Sequence, residues 1–81
     1  MKRRPSASSV SAFLRRQGYR PVPARDREGV HVSGGLTTVQ ITMQWDSERQ
    51  NQRAAQDIAT LLLEAGYHVI HMSPHSVTVG R

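Results

Sequence analysis

The chain has 81 residues, no cysteine and a formal net charge of +5. That length makes one domain with a small core, burying about 60% of its unfolded surface. The lack of cysteine excludes disulfides and thiolate–metal staples. Idealised packing or a partner subunit must then supply stability, and a domain without staples is expected to be cytoplasmic.

Charge is unevenly distributed. Residues 1–27 hold Lys2, Arg3, Arg4, Arg15, Arg16, Arg20, Arg25 and Arg27 against Asp26 alone, a local charge of +7, whereas residues 28–81 carry −2. Such polarity points to an acidic partner for the first third of the chain. No stretch approaches the ~20 apolar residues of a membrane span. Lys2, Arg3 and Arg4 are followed by Pro5, Ser6, Ala7, Ser8 and Ser9, not by an apolar run, so no signal peptide is expected.

Residues 1–5 read as a flexible basic arm and 6–81 as a single domain. A first helix is expected from a serine cap at Ser6 or a neighbour to about Gln17. Val10, Phe13, Leu14 and Gln17 share one of its faces, and Arg15 and Arg16 point away. Gly18 stands where a left-handed residue ends a helix. Tyr19 to Ala24 is ambiguous, because Pro21 and Pro23 lack N–H groups and allow at most an edge strand. A strand follows over Gly29–Ser33, and Gly34-Gly35 signals a hairpin. Thr38–Trp45 alternates strictly: Val39, Ile41, Met43 and Trp45 form a dry face, and Thr38, Gln40, Thr42 and Gln44 a polar one.

A long helix starts at Asp46 or Ser47, with Ser47 and Gln50 spaced as a capping box. Its expected stripe is Ala54, Ile58, Leu61, Leu62 and Ala65, with Leu63 and Ala59 on an outer flank. Gly66 stops it. Tyr67–Met72 is a strand, Ser73-Pro74-His75 a turn, and Val77–Val79 the last strand.

The two helices belong to a repeat. Val10, Phe13, Leu14, Gly18 and Tyr19 recur forty-eight positions later as Ile58, Leu61, Leu62, Gly66 and Tyr67. With one residue slipped, Val30 and Val32 match Val77 and Val79. The expected fold class is α+β, a two-layer sandwich. Two helices lie on one face of a four- or five-stranded, mainly antiparallel sheet, in the order α-β-β-α-β-β with an internal αββ repeat. This is a circular permutation of the ferredoxin-like order. A strand at Tyr19–Ala24 would give the first five elements the order of a double-stranded-RNA-binding domain. Only element order is shared, since the second helix begins with two arginines and no lysine, and Gly-Pro-x-His is missing.

Chemistry is sparsely represented. His68 and His71 should point to opposite faces of a strand, His75 lies in a turn and His31 is remote, so no metal or other cofactor is expected. No nucleophile motif, phosphate loop or paired buried carboxylates suggest an enzyme. The expected function is a non-enzymatic binding module that associates with nucleic acid through Lys2, Arg3, Arg4, Arg15, Arg16 and Arg20. The alternative is a protein-interaction or assembly module, acting as a homodimer or on a partner protein. In that reading the final strand offers an edge, and Leu63 and Ala59 a helix flank.

Overall fold

The computed structural model describes residues 5–22, 27–35 and 37–80. Helix α1 spans Ala7–Arg16, strand β1 Val30–Gly34 and β2 Val39–Met43, followed by helix α2, Glu48–Glu64, then β3, His68–Ser73, and β4, Ser76–Gly80. All neighbouring strands are antiparallel, in the sheet order β1-β2-β4-β3. A circular permutation of the ferredoxin-like order produces this arrangement. The four-stranded α+β sandwich of the sequence reading is therefore the observed architecture.

Both helices are capped by short-range chemistry. Ser6 caps α1, and its side chain accepts from the Ser9 N–H while Ser9 Oγ accepts from the Ser6 N–H, a complete capping box. Ser47 caps α2 by accepting from the Gln50 N–H. At their C-terminal ends the helices close identically. Gly18 N–H donates to Arg15 O and Tyr19 N–H to Leu14 O, and Gly66 N–H donates to Leu63 O and Tyr67 N–H to Leu62 O. This Schellman pattern requires a left-handed residue, and Gly18 (φ +95°) and Gly66 (φ +94°) supply it. The repeated Gly-Tyr pair is thus a repeated helix stop.

One core lies between the helices and the sheet. Val10, Phe13 and Leu14 of α1 and Ala54, Ala55, Ile58, Ala59 and Leu62 of α2 pack on Val30, Val39, Ile41, Met43, Val77 and Val79. The alternation expected for β2 is observed, with Ile41 buried and Gln40 exposed. Gly34 ends β1 beneath α1, where an added Cβ would lie 2.9 Å from Ala7 Cβ, so only glycine permits this approach.

Several expectations need correction. Among the described residues Tyr19–Val22 is not a fifth strand: Pro21 makes one isolated parallel bridge to Val30, and Val22 N–H donates to Val30 O. The prolines deny it a ladder, and the likeness to the RNA-binding element order falls with it. Residues 23 and 24 lie outside the described part. Gln17 is exposed, because it is the C-cap and not part of the buried face. Ala59 is buried against the core, leaving Leu63 alone on the outer flank, and Leu61 and Ala65 are only partly buried. The final strand is no edge, since β4 sits between β2 and β3. The outer strands are β1 and β3 and the inner ones β2 and β4, so Val30 and Val32 occupy an outer strand and Val77 and Val79 an inner one. The residue-by-residue match thus holds through the Gly-Tyr stop; beyond it the αββ order still repeats, with β1 and β3 outer and β2 and β4 inner, but the valines do not correspond.

Candidate functional site

α2 is seventeen residues long and α1 ten. Aligned on the repeat, the first seven residues of α2 have no counterpart in α1. They run beside Tyr19 with Asn51 and Ala54 buried, and with Tyr19 and the end of β2 they border an open groove of about 650 Å³. Trp45 and Tyr19 line it with Ala54, and Arg49, Arg53, Ser47, Gln50 and Asp57 complete it.

Both aromatic residues are held in place. Asn51 is the only non-aromatic polar side chain buried among the described residues. Its Oδ1 accepts from the Trp45 N–H at 2.8 Å, and its Nδ2 donates to the Trp45 carbonyl at 2.9 Å. A buried amide satisfied at both ends positions Trp45 after the strand has ended. Tyr19 donates its hydroxyl to Asp57 Oδ2 at 2.5 Å. Burial, then the hydrogen bond, then the negative charge of Asp57 push the Tyr19 pKa up to about 12, so the phenol stays protonated.

Arg49, Arg53 and Asp57 are spaced four apart along one side of α2, and both arginines are exposed. Neither guanidinium has an ion-pair partner among the described residues. Asp57 is engaged by Tyr19. Asp46 and Glu48, just before them, are the other carboxylates close to them in sequence, and both are exposed.

Of the sequence-expected site residues, Arg15, Arg16 and Arg20 are exposed around the end of α1. Arg15 lines a second, shallower depression with Ser11, Pro21, Val22 and Val32. Tyr19 lies between Arg16 and Arg20 in the chain, so the segment just after α1 adjoins the groove. Lys2, Arg3 and Arg4 lie outside the described residues. Trp45, Arg49, Arg53 and Asn51 were not among the expected site residues. A signal for Asn51 was present: with Ala55, Ile58 and Leu62 it continues the apolar stripe, and a polar residue on such a stripe needs a buried partner.

The histidines are arranged differently from the simple alternation. A bulge between Val69 and His71 breaks the β3 register, so His68 pairs with Gly80 and His71 with Thr78. Gly80 and Thr78 are two apart on β4, and the two histidines therefore share the sheet face away from the helices. His31 also faces that side, but on the opposite edge, three strand spacings or about 14 Å away. Its Nδ1 is buried without a hydrogen-bond partner. No three potential metal ligands converge among the described residues. No helix of the described residues is long and apolar enough to cross a membrane. Compared with models of known protein families, with curated proteins and with solved structures, the chain matches none.

Proposed function

We propose that the protein is a small non-enzymatic module that binds nucleic acid, with phosphates held by the basic first third of the chain. The observation that carries this reading is the setting of Arg15, Arg16 and Arg20. All three are exposed, lie within four residues of Tyr19, and have no carboxylate partner among the described residues. Guanidinium groups without internal partners are free for bidentate contacts to phosphate oxygens. Lys2, Arg3 and Arg4 extend the same charge in sequence. Binding of this kind releases counterions, so affinity should fall steeply with salt and vary little with sequence.

The test is binding of a labelled random duplex and a random single strand at two salt concentrations. Arg15→Glu with Arg16→Glu should weaken binding and flatten its salt dependence, and deletion of residues 1–4 should weaken it uniformly across sequences. No binding by the intact protein at low salt would refute the reading.

A second reading, self-association, draws on the outer position of β3 in the sheet and the exposure of Leu63, Ile70 and Met72. These three do not form one face. Ile70 lies over Gly80, on the side away from the helices, and Met72 sits beside Gln52 and Gln56 of α2. The bulge further interrupts the edge as a template. A dimer mass in light scattering that reverts to monomer in Leu63→Asp would favour this reading.

A further inference from the structure

We infer that the groove between Tyr19 and the first two turns of α2 takes one base-plus-phosphate unit of a single-stranded nucleic acid, the base against the Trp45 indole and the phosphate on Arg49 and Arg53. The inference rests on the nucleic-acid reading and adds a contact at residues outside the basic first third. A groove of about 650 Å³ lies within the usual size range of small-ligand sites. Its make-up is that of a stacking platform with two arginines on its rim: two aromatic rings, the small side chain of Ala54, and Arg49 and Arg53, exposed one helical turn apart beside the Asp57 carboxylate.

Preorganisation strengthens the case. The two Asn51 hydrogen bonds fix the backbone of Trp45, and the Asp57 bond fixes Tyr19. A rigid aromatic wall loses little freedom when a base stacks on it. Asp57 keeps its negative charge while it accepts from Tyr19, and Arg49 and Arg53 have no ion-pair partner among the described residues. In a duplex the base faces are hidden in the stack, so an aromatic set within a groove selects unpaired strands. Phosphate contact alone would not call for the two rings.

Trp45 is the sole tryptophan of the chain, so its fluorescence reports on the groove directly. The intact protein is titrated with a short single-stranded DNA, the duplex of the same sequence, and a mononucleotide at matched concentration. The single strand should quench Trp45 to saturation and bind at least roughly tenfold more tightly than the duplex. Arg49→Ala with Arg53→Ala, both on the exposed helix face, should weaken single-strand binding by roughly tenfold and leave the fold intact. Trp45→Phe, followed by anisotropy of a labelled strand, should weaken it less than Trp45→Ala. Unchanged Trp45 emission at a saturating single strand, with binding lost only in Arg15→Glu/Arg16→Glu, would overturn the groove site and leave the nucleic-acid reading standing. Duplex binding as tight as single-strand binding, or equal quenching by the mononucleotide, would overturn the single-strand assignment. No binding of any of the three at low salt would remove both.

Discussion

Tyr19, just past the end of α1, donates its hydroxyl to Asp57 on α2, and the same relationship runs in reverse across the domain. Forty-eight positions after Tyr19, Tyr67 follows the end of α2, and forty-eight positions before Asp57 stands Ser9 of α1. The Tyr67 hydroxyl donates to Ser9 Oγ at 3.4 Å, and its ring packs against Phe13 with centroids 6.0 Å apart. Each helix stop therefore sends a tyrosine across to the other helix at equivalent positions. The two halves differ in what surrounds that contact. Tyr67 is buried in the core, whereas Tyr19 lines the groove made by the extra turns of α2. The candidate site thus lies where the repeat is broken.

The Tyr19–Asp57 bond predicts an alkaline weakness. The folded-state pKa of Tyr19 is raised from 10.0 to about 12. The folded state therefore holds the phenolic proton more tightly than the unfolded chain. The stabilisation is fully present below pH 10 and is lost as pH rises through about 12. Denaturation midpoints measured between pH 9 and 12 should fall over this window in the wild type and fall less in Tyr19→Phe. The tyrosinate absorbance transition near pH 12 should vanish in that variant.

Asn51 should be costly to replace, because it is buried on the apolar stripe of α2 and satisfies the Trp45 backbone. Asn51→Leu leaves the Trp45 N–H and carbonyl without their partners, an expected loss of about 1–3 kcal/mol in chemical denaturation. The near-ultraviolet circular dichroism of Trp45 should weaken at the same time, because the residue loses its anchor. A stable variant with an unchanged tryptophan signal would show that Asn51 does not position Trp45.

Strand β2 offers a direct test of register. Ile41 is fully buried, and Ile41→Ala should cost about 2–4 kcal/mol, a large share of the stability of so small a domain. Gln40 points to the open face, and Gln40→Ala should cost under about 0.5 kcal/mol. Urea titrations of the two variants check both values.

The two helix stops should respond alike. At Gly18 and Gly66 an added Cβ would meet nothing within 4 Å, but both backbones have positive φ. Gly18→Ala and Gly66→Ala should each cost about 1–2 kcal/mol from backbone strain alone. A far larger loss at one site, read from thermal denaturation, would mean the repeat is less faithful than its hydrogen bonds indicate.

What the sequence determined by itself is everything set by neighbours a few residues apart. The serine caps at Ser6 and Ser47, the glycine stops at Gly18 and Gly66, the two-residue alternation from Val39 to Met43 and the helical spacing of Val10, Phe13 and Leu14 all follow from local geometry. So did the element order. Strand neighbours and the contents of the groove were decided only by the tertiary structure. Nothing local distinguishes an inner from an outer final strand. β4 is inner because it pairs with both β2 and β3, and burial alone does not dictate this, since Val30 on the outer strand β1 is buried as fully as Val77 and Val79. The bulge beside Ile70 shows itself only in pairing with β4, and it alone brings His68 and His71 to one face. The groove likewise joins Tyr19, Trp45 and Arg53 across long stretches of chain. Local periodicity carries no record of such contacts, because they exist only once the helices have docked on the sheet.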